Sequence, residues 1–462
     1  MRPRFRLILP LALAAALTLA AASKETALDR YVHAPDSSFK FELVKTIQGE
    51  GYKAYVLDLT SQTWKPPVEP SRSVWKHWLT IVKPDVVKYS TGFLFITGGN
   101  NNDKPREKAD DLTVDLAMST GSVAAELRMV PNQAISFPDG KKPMVEDEFI
   151  AYTWDKFLRT GNEMWPARLP MTKSAVRAMD AITAFMKGDV AGKVNVETFV
   201  VAGGSKRGWT TWTTAAVDKR VVAIAPMVID MLNAEKSFEH HYRAYGFYSP
   251  AVKDYEDLDI MKWSGTKQYR KLMEIEEPYE YRDRLTIPKF IINAGGDQYF
   301  LPDSSRFYFD DLKGEKHLRY VANTDHSLRN SDARESLVAF YDMFLRKQAR
   351  PTFSWKFEND GSIKVTSATK PTEVKMWAAV NPEARDFRLA KIGPAYKPTV
   401  LTEQPDHVFV GKPERPEKGW VAYFIELTYP SGGKYPAKFT TGVRVEPDTL
   451  PFPAPKWTPP VP

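Results

Sequence analysis

Between Glu197 and Ala216 the chain changes its hydrophobic period within a few residues, and this constrains the fold more than anything else in it. Phe199-Val200-Val201-Ala202 is a continuous apolar, β-branched run of the kind that makes a buried strand. Trp209, Trp212 and Ala216 then recur at helical spacing. Gly203-Gly204-Ser205-Lys206-Arg207-Gly208 joins the two. A strand that turns at once into a helix, with a serine at the corner, has the form of a nucleophile elbow. Gly203 and Gly208 would leave room for the two arms of the turn. The Lys206 N–H, at the head of the helix, would help to bind an oxyanion. The usual spacing is G-x-S-x-G, and here Arg207 occupies the place of the second glycine. The same residues could also form a plain glycine-rich turn, so the partners downstream carry the choice.

Those partners lie where further buried strands end. Val221–Ile229 ends at Asp230, Ile287–Ala294 at Gly295-Gly296-Asp297, and Leu318–Ala322 at Asn323-Thr324-Asp325-His326. In doubly wound hydrolases the nucleophile, acid and base occupy such loops in that chain order. Ser205 is therefore the expected nucleophile, His326 the base and Asp297 the acid that orients the imidazole. Asp230 is the rival acid; its alternative role is to cap the following helix. An earlier strand, Phe93–Ile96, ends in Thr97-Gly98-Gly99, which gives Gly99 as the second oxyanion donor. Lys206 and Arg207 are unusual beside a nucleophile. They are candidates for binding an anionic group on the substrate, unless they are solvated residues at the start of the helix. His240-His241 lack the i, i+4 spacing of a zinc pair, so no metal is expected, and no cofactor is implied.

The surrounding pattern sets the architecture. Tyr52–Trp64 and Val74–Val82 alternate as antiparallel edge strands do. Asp110–Ser119, Thr172–Lys187 and Ser331–Lys347 are helical, and Ala125–Phe137 is expected to be a strand interrupted by Pro131. Residues 231–285 are aromatic, charged and helix-like, an insertion long enough to form a lid. After Arg350 the helical period disappears and short alternating strands follow. The expected fold is therefore α/β: a doubly wound, mostly parallel sheet with a helical lid over residues 23–349, then a small β-sandwich over 350–446 and a proline-rich tail over 447–462.

The first 22 residues have the form of a cleaved signal peptide. Arg2, Arg4 and Arg6 precede an apolar run, Leu7–Leu19, and Ala20-Ala21-Ala22 supplies small residues for cleavage. Removing those three arginines from the 64 basic residues leaves 61 against 57 acidic ones, a formal charge of only +4. With no dense basic run, nucleic acid is not an expected partner. No membrane anchor is expected after cleavage, and the expected location is secreted or periplasmic. The chain contains no cysteine, so neither disulfides nor a thiolate metal site can support it.

TALDRYV, FLFITGGNNN, GGSKRGWTTWTTAAVDKRVVAIAPMVIDMLN and GGDQYFLPDSSRFYFDDLKGEKHLRYVANTDHSL together resemble the PhoPQ-activated pathogenicity-related protein family. The resemblance implies an α/β-hydrolase fold on an exported protein, with Ser205, Asp297 and His326 on the family's triad positions. The elbow is also similar to that of glucuronoyl esterases, where a basic residue follows the serine; Lys206 stands there. The family includes secreted eukaryotic proteins regarded as signals. The expected function is thus an exported serine hydrolase acting on an ester or amide in a small molecule or peptide, with a non-catalytic signalling protein on the same scaffold as the alternative.

Overall fold

A computed structural model describes residues 25–140 and 142–460. The leader expected over residues 1–22 lies outside the described residues. A sheet begins with β1 (Lys40–Gly49), β2 (Tyr52–Thr63) and β3 (Val74–Pro84), paired antiparallel. It continues through β5 (Ala124–Leu127), β4 (Thr91–Ile96), β6 (Thr198–Gly204), β7 (Val221–Met227), β8 (Lys289–Ala294) and β9 (Lys316–Val321), all parallel to one another. The order β2-β3-β5-β4-β6-β7-β8-β9, with β4 and β5 exchanged and β3 antiparallel, is that of an α/β-hydrolase.

Successive residues of these strands serve opposite faces, as the pleat requires. Leu94, Val201 and Ile291 enter one core, beneath α4 (Arg168–Met186) and α5 (Lys206–Val217). Phe93, Val200 and Phe290 enter the other, with Leu116 of α2 (Asp111–Thr120) and Leu337 of α9 (Ala333–Leu345). Both faces being covered explains why these strands are continuously apolar rather than alternating. The first helix, α1 (Ala27–His33), is capped by Thr26 and buries Leu28 and Val32.

The strand expected over Ala125–Phe137 stops at Leu127, because Met129 takes a positive φ of 65° that extended chain does not pass through. A helix absent from the sequence reading, α3 (Glu146–Thr160), follows; its acidic first turn holds Glu146, Asp147 and Glu148. Between β7 and β8 the lid segment contains α6 (Ala234–Tyr245), α7 (Lys253–Asp257) and α8 (Lys267–Glu276).

After α9 come β10 (Phe353–Phe357), β11 (Ile363–Ser367), β12 (Glu373–Asn381), β13 (Lys397–Val400), β14 (Val408–Gly411), β15 (Trp420–Tyr429), β16 (Ala437–Thr440) and β17 (Arg444–Glu446). The three-stranded sheet β10-β11-β14 packs Ile363, Val365 and Phe409 against Met376, Val421 and Ile425 of β12 and β15. This is the sandwich, but its larger sheet is not separate: β16 pairs antiparallel with β9, so the central sheet runs on into it. Arg319 on β9 is buried at the join, 2.6 Å from both Glu426 of β15 and Asp332. The tail is extended and lies on α6 and the turn after it, where the Phe452 N–H donates to Arg243 O at 3.1 Å and Trp457 Nε1 to Tyr248 Oη at 3.1 Å. Among the described residues, no helix is long and apolar enough to cross a membrane.

Candidate active site

Ser205 stands between β6 and α5 with φ 58° and ψ −128°. A non-glycine residue held at positive φ needs surrounding structure that over-determines it. Here the Ser205 N–H donates to Met227 O at 2.9 Å, and its carbonyl receives the Trp209 N–H at 3.0 Å. The flanking glycines show why the turn tolerates its odd spacing. A Cβ on Gly203 would lie 2.7 Å from Arg207 O, and one on Gly208 would lie 2.8 Å from Met227 O and 2.9 Å from Gly203 O. The close approach is made at position 208, so position 207 is free to carry a long side chain. Gly204 has its nearest neighbour at 3.8 Å. Gly208→Ala is therefore expected to cost about 1–3 kcal/mol by overpacking, and Gly204→Ala less than about 1 kcal/mol. Denaturant melts of the two variants check the ranking.

Asp297 and His326 are brought together at the ends of β8 and β9. His326 Nδ1 lies 2.8 Å from Asp297 Oδ2 and 3.1 Å from Oδ1, and the carboxylate also accepts the Tyr299 N–H at 2.7 Å. The His326 N–H donates to Gln298 Oε1 at 3.1 Å, and its ring lies against Tyr299 with centroids 4.3 Å apart. Nε2, the nitrogen turned away from Asp297, is buried and has no hydrogen-bond partner among the described residues. Ser205 and His326 are thus not in hydrogen-bond contact in this structure; such contacts are often long without substrate and tighten when it binds.

Asp230 is held elsewhere. Its two oxygens accept the hydroxyls of Tyr308 and Tyr320, each at 2.6 Å. Burial, reinforced by the charges of Asp297 and Asp303, outweighs those hydrogen bonds and pushes its carboxyl up to about 8. A carboxyl occupied by two tyrosines does not orient His326.

The loops carrying Asp297 and His326 are braced by the chain that follows β12. Leu389 N–H donates to Gly296 O at 2.9 Å, and Tyr396 Oη to Gly295 O at 3.3 Å. Asn323 and Tyr396 exchange two hydrogen bonds of 2.9 Å. Arg385 is fully buried, with Nη2 2.6 Å from Asp303, which also takes His240 Nε2 at 3.1 Å. His241 Nε2 accepts the Ser249 N–H at 2.9 Å. The two adjacent histidines thus serve different structural bonds, and no group of metal-binding side chains forms among the described residues.

Lys206 and Arg207 meet carboxylates that the sequence reading did not pair with them. Lys206 Nζ is 2.8 Å from Glu146 and 3.1 Å from Asp147. Arg207 makes a fork with the same Glu146, at 2.6 and 2.8 Å. Burial alone would raise the Glu146 carboxyl, but the charges of Arg207 and Lys206 hold it well below the usual range. Arg207 also presses on the Gly98-Gly99 loop, since a Cβ on Gly98 would lie 2.5 Å from its guanidinium. Gln133 completes the cluster: its amide donates to Glu146 at 2.6 Å and to Gly99 O at 3.1 Å. Neither cation is a solvated residue at the start of the helix: each is buried and paired with a carboxylate. Arg207 ties the elbow to the loop that carries Gly99, whose φ of 141° suits only glycine.

A cavity of about 30 Å³ opens at Ser205 and Lys206, lined chiefly by Trp154, Trp209, Phe238, Tyr255 and Tyr299, with Arg168 at its wall. Arg168 is buried and paired with Glu276 at 3.2 Å, and it donates to Lys206 O at 2.6 Å. Glu146, Asp147 and Arg168 were missed in the sequence. The Glu-Asp-Glu run ahead of Phe149-Ile150, Trp154 and Phe157-Leu158 was the available signal for α3.

Residues 28–388 match the PhoPQ-activated pathogenicity-related protein family. The chain is 38% identical over 465 residues to the autocrine proliferation repressor protein A of Dictyostelium discoideum, covering 94% of this chain and 93% of that one. Similar solved structures include an acetyl xylan esterase from Paenibacillus sp. R4, with TM-score 0.46 and 14% identity over 66% of this chain and 90% of that one. Another is acetyl xylan esterase 1 from Thermoanaerobacterium sp. JW/SL YS485, with TM-score 0.45 and 11% identity over 69% of this chain and 91% of that one. The chain belongs to the PhoPQ-activated pathogenicity-related protein family.

Proposed function

We propose that this protein is an exported serine hydrolase that cleaves an ester or amide through an acyl-enzyme. The observation that carries the reading is Ser205, held at positive φ at the head of α5, with the His326–Asp297 pair at the ends of the strands that follow. Ser205 Oγ attacks the substrate carbonyl carbon and gives its proton to His326 Nε2. Asp297 holds Nδ1–H and stabilises the imidazolium. The oxyanion is received by the N–H groups of Lys206 and Gly99; as the first helical residue, Lys206 has no intrahelical acceptor for its N–H. His326 then protonates the leaving group, and water, activated by the same histidine, releases the acid.

The second reading is a secreted signalling protein on a hydrolase scaffold, favoured by the Dictyostelium relative, an autocrine proliferation repressor. Treatment with a fluorophosphonate separates the two. The hydrolase reading expects one adduct per chain, on Ser205, and none in Ser205→Ala. A folded protein that takes no label would leave the signalling reading standing.

A further inference from the structure

The cavity at Ser205 is walled by rings whose positions are fixed. Trp154 meets Trp209 and Tyr255 edge-on, with centroids 6.0 and 5.4 Å apart. Trp209 Nε1 donates to the Glu276 carbonyl, and Tyr255 Oη to Asp147 at 3.1 Å. Phe238 and Val252 close it from the lid, and Tyr299 and Phe300 from the loop after Asp297. The cavity, of about 30 Å³, has room for a group of only a few heavy atoms.

Its place relative to the catalytic groups says which part of a substrate it takes. The leaving-group oxygen must face His326 Nε2, from which it receives its proton. His326 is not among the residues that line the cavity, whereas Ser205 and Lys206 are. The acyl side of the substrate therefore enters it. Charge at the wall is already matched: Lys206 is paired with Asp147 and Glu146, and Arg168 with Glu276. An acyl carboxylate would meet no unmatched cation there and would sit beside Asp147.

We propose that this cavity is an acyl pocket which restricts the substrate to short, uncharged acyl groups of about two or three carbons, so that the protein is a deacetylase-like esterase. The proposal rests on the serine hydrolase reading. In the reaction the Ser205 Oγ–carbonyl carbon bond forms and the bond from that carbon to the alcohol oxygen breaks. The serine proton passes through His326 to the alcohol, and water then releases the short acid. Discrimination comes from exclusion by the rings, and an apolar pocket separates acyl groups by about 10–200-fold per methylene.

The test uses the full chain with p-nitrophenyl acetate, propionate, butyrate, hexanoate and hemisuccinate. Acetate and propionate should give the highest kcat/KM, with a loss of at least about 10-fold at butyrate and a further loss at hexanoate. Phe238→Ala should raise butyrate relative to acetate by about 10-fold. Val252→Ala provides the same readout if circular dichroism shows the first variant unfolded. An equal or rising profile out to hexanoate, on protein whose Ser205 takes the fluorophosphonate, would overturn the pocket and spare the hydrolase. Preference for the hemisuccinate would overturn the uncharged acyl group. Absence of both turnover and label would overturn both readings.

Discussion

Asp297→Asn is expected to lower kcat by about 10⁴-fold, whereas Asp230→Asn should change it by less than about 10-fold. Both aspartates end strands of the parallel sheet, and in the sequence they are rivals. Their surroundings separate them. Asp297 is 2.8 Å from His326 Nδ1, and its carboxylate accepts the proton that fixes the tautomer with Nε2 free to act as base. An amide at this position would favour the wrong tautomer. Asp230 reaches two tyrosine hydroxyls instead. Its carboxyl, pushed up to about 8 mainly by burial, is protonated at neutral pH. That has a thermodynamic consequence. A group whose folded pKa is raised contributes stability that is full below its unfolded value and is lost as pH rises through the folded one. Wild type should therefore lose stability relative to Asp230→Asn between about pH 4 and pH 8. Melting curves of both proteins at those two pH values, beside kcat on an acetyl ester, check the pair. If Asp230→Asn had the larger effect on kcat, the acid would move to the earlier strand.

The residues legible in the sequence are those fixed by local rules. The elbow could be read because a buried strand, two space-demanding glycine positions and a helical period are all local. Asp297 and His326 could be read because loops at the carboxyl ends of parallel strands are where such a sheet presents chemistry. What the sequence hid depends on distant contacts. Nothing near Arg207 says that its partner is Glu146, and the carboxylate lies on a helix whose period went unrecognised. Nothing near Gly295-Gly296 says that Leu389 and Tyr396 will hold that loop from beyond β12. β1 escaped because its residues never become fully buried: it is an edge strand, half exposed throughout. The sandwich was visible as alternating strands, but its fusion to the central sheet rests on one short pairing, Thr440 with Leu318, which no period announces.

The hidden carboxylate carries the second large effect. Glu146→Gln is expected to destabilise the fold by about 3 kcal/mol, the low end of the range for breaking a buried ion pair. The low end applies because the Glu146 side chain is itself 38% exposed. The cost comes from the other side of the pair: Lys206 and Arg207 are only 8% and 10% exposed, and Arg207 would lose its bidentate partner where water cannot fully replace it. Removing that cation as well should return part of the loss, so Glu146→Gln/Arg207→Met should melt above Glu146→Gln alone. The effect has a pH signature opposite to that of Asp230. A depressed carboxylate contributes stability that is present above its unfolded value, near 4.5, and is lost as pH falls. Wild type should therefore lose stability between about pH 6 and pH 3 more steeply than Glu146→Gln. Activity gives an independent reading, because the same cluster holds the Gly98-Gly99 loop against the elbow. If Gly99 is an oxyanion donor, the variant should lose kcat by up to about 10²-fold, the effect of a misplaced donor, with a smaller change in KM. A variant that melts like wild type at both pH values and turns over at the wild-type rate would show that the Glu146 pairing supports neither the fold nor the placing of Gly99.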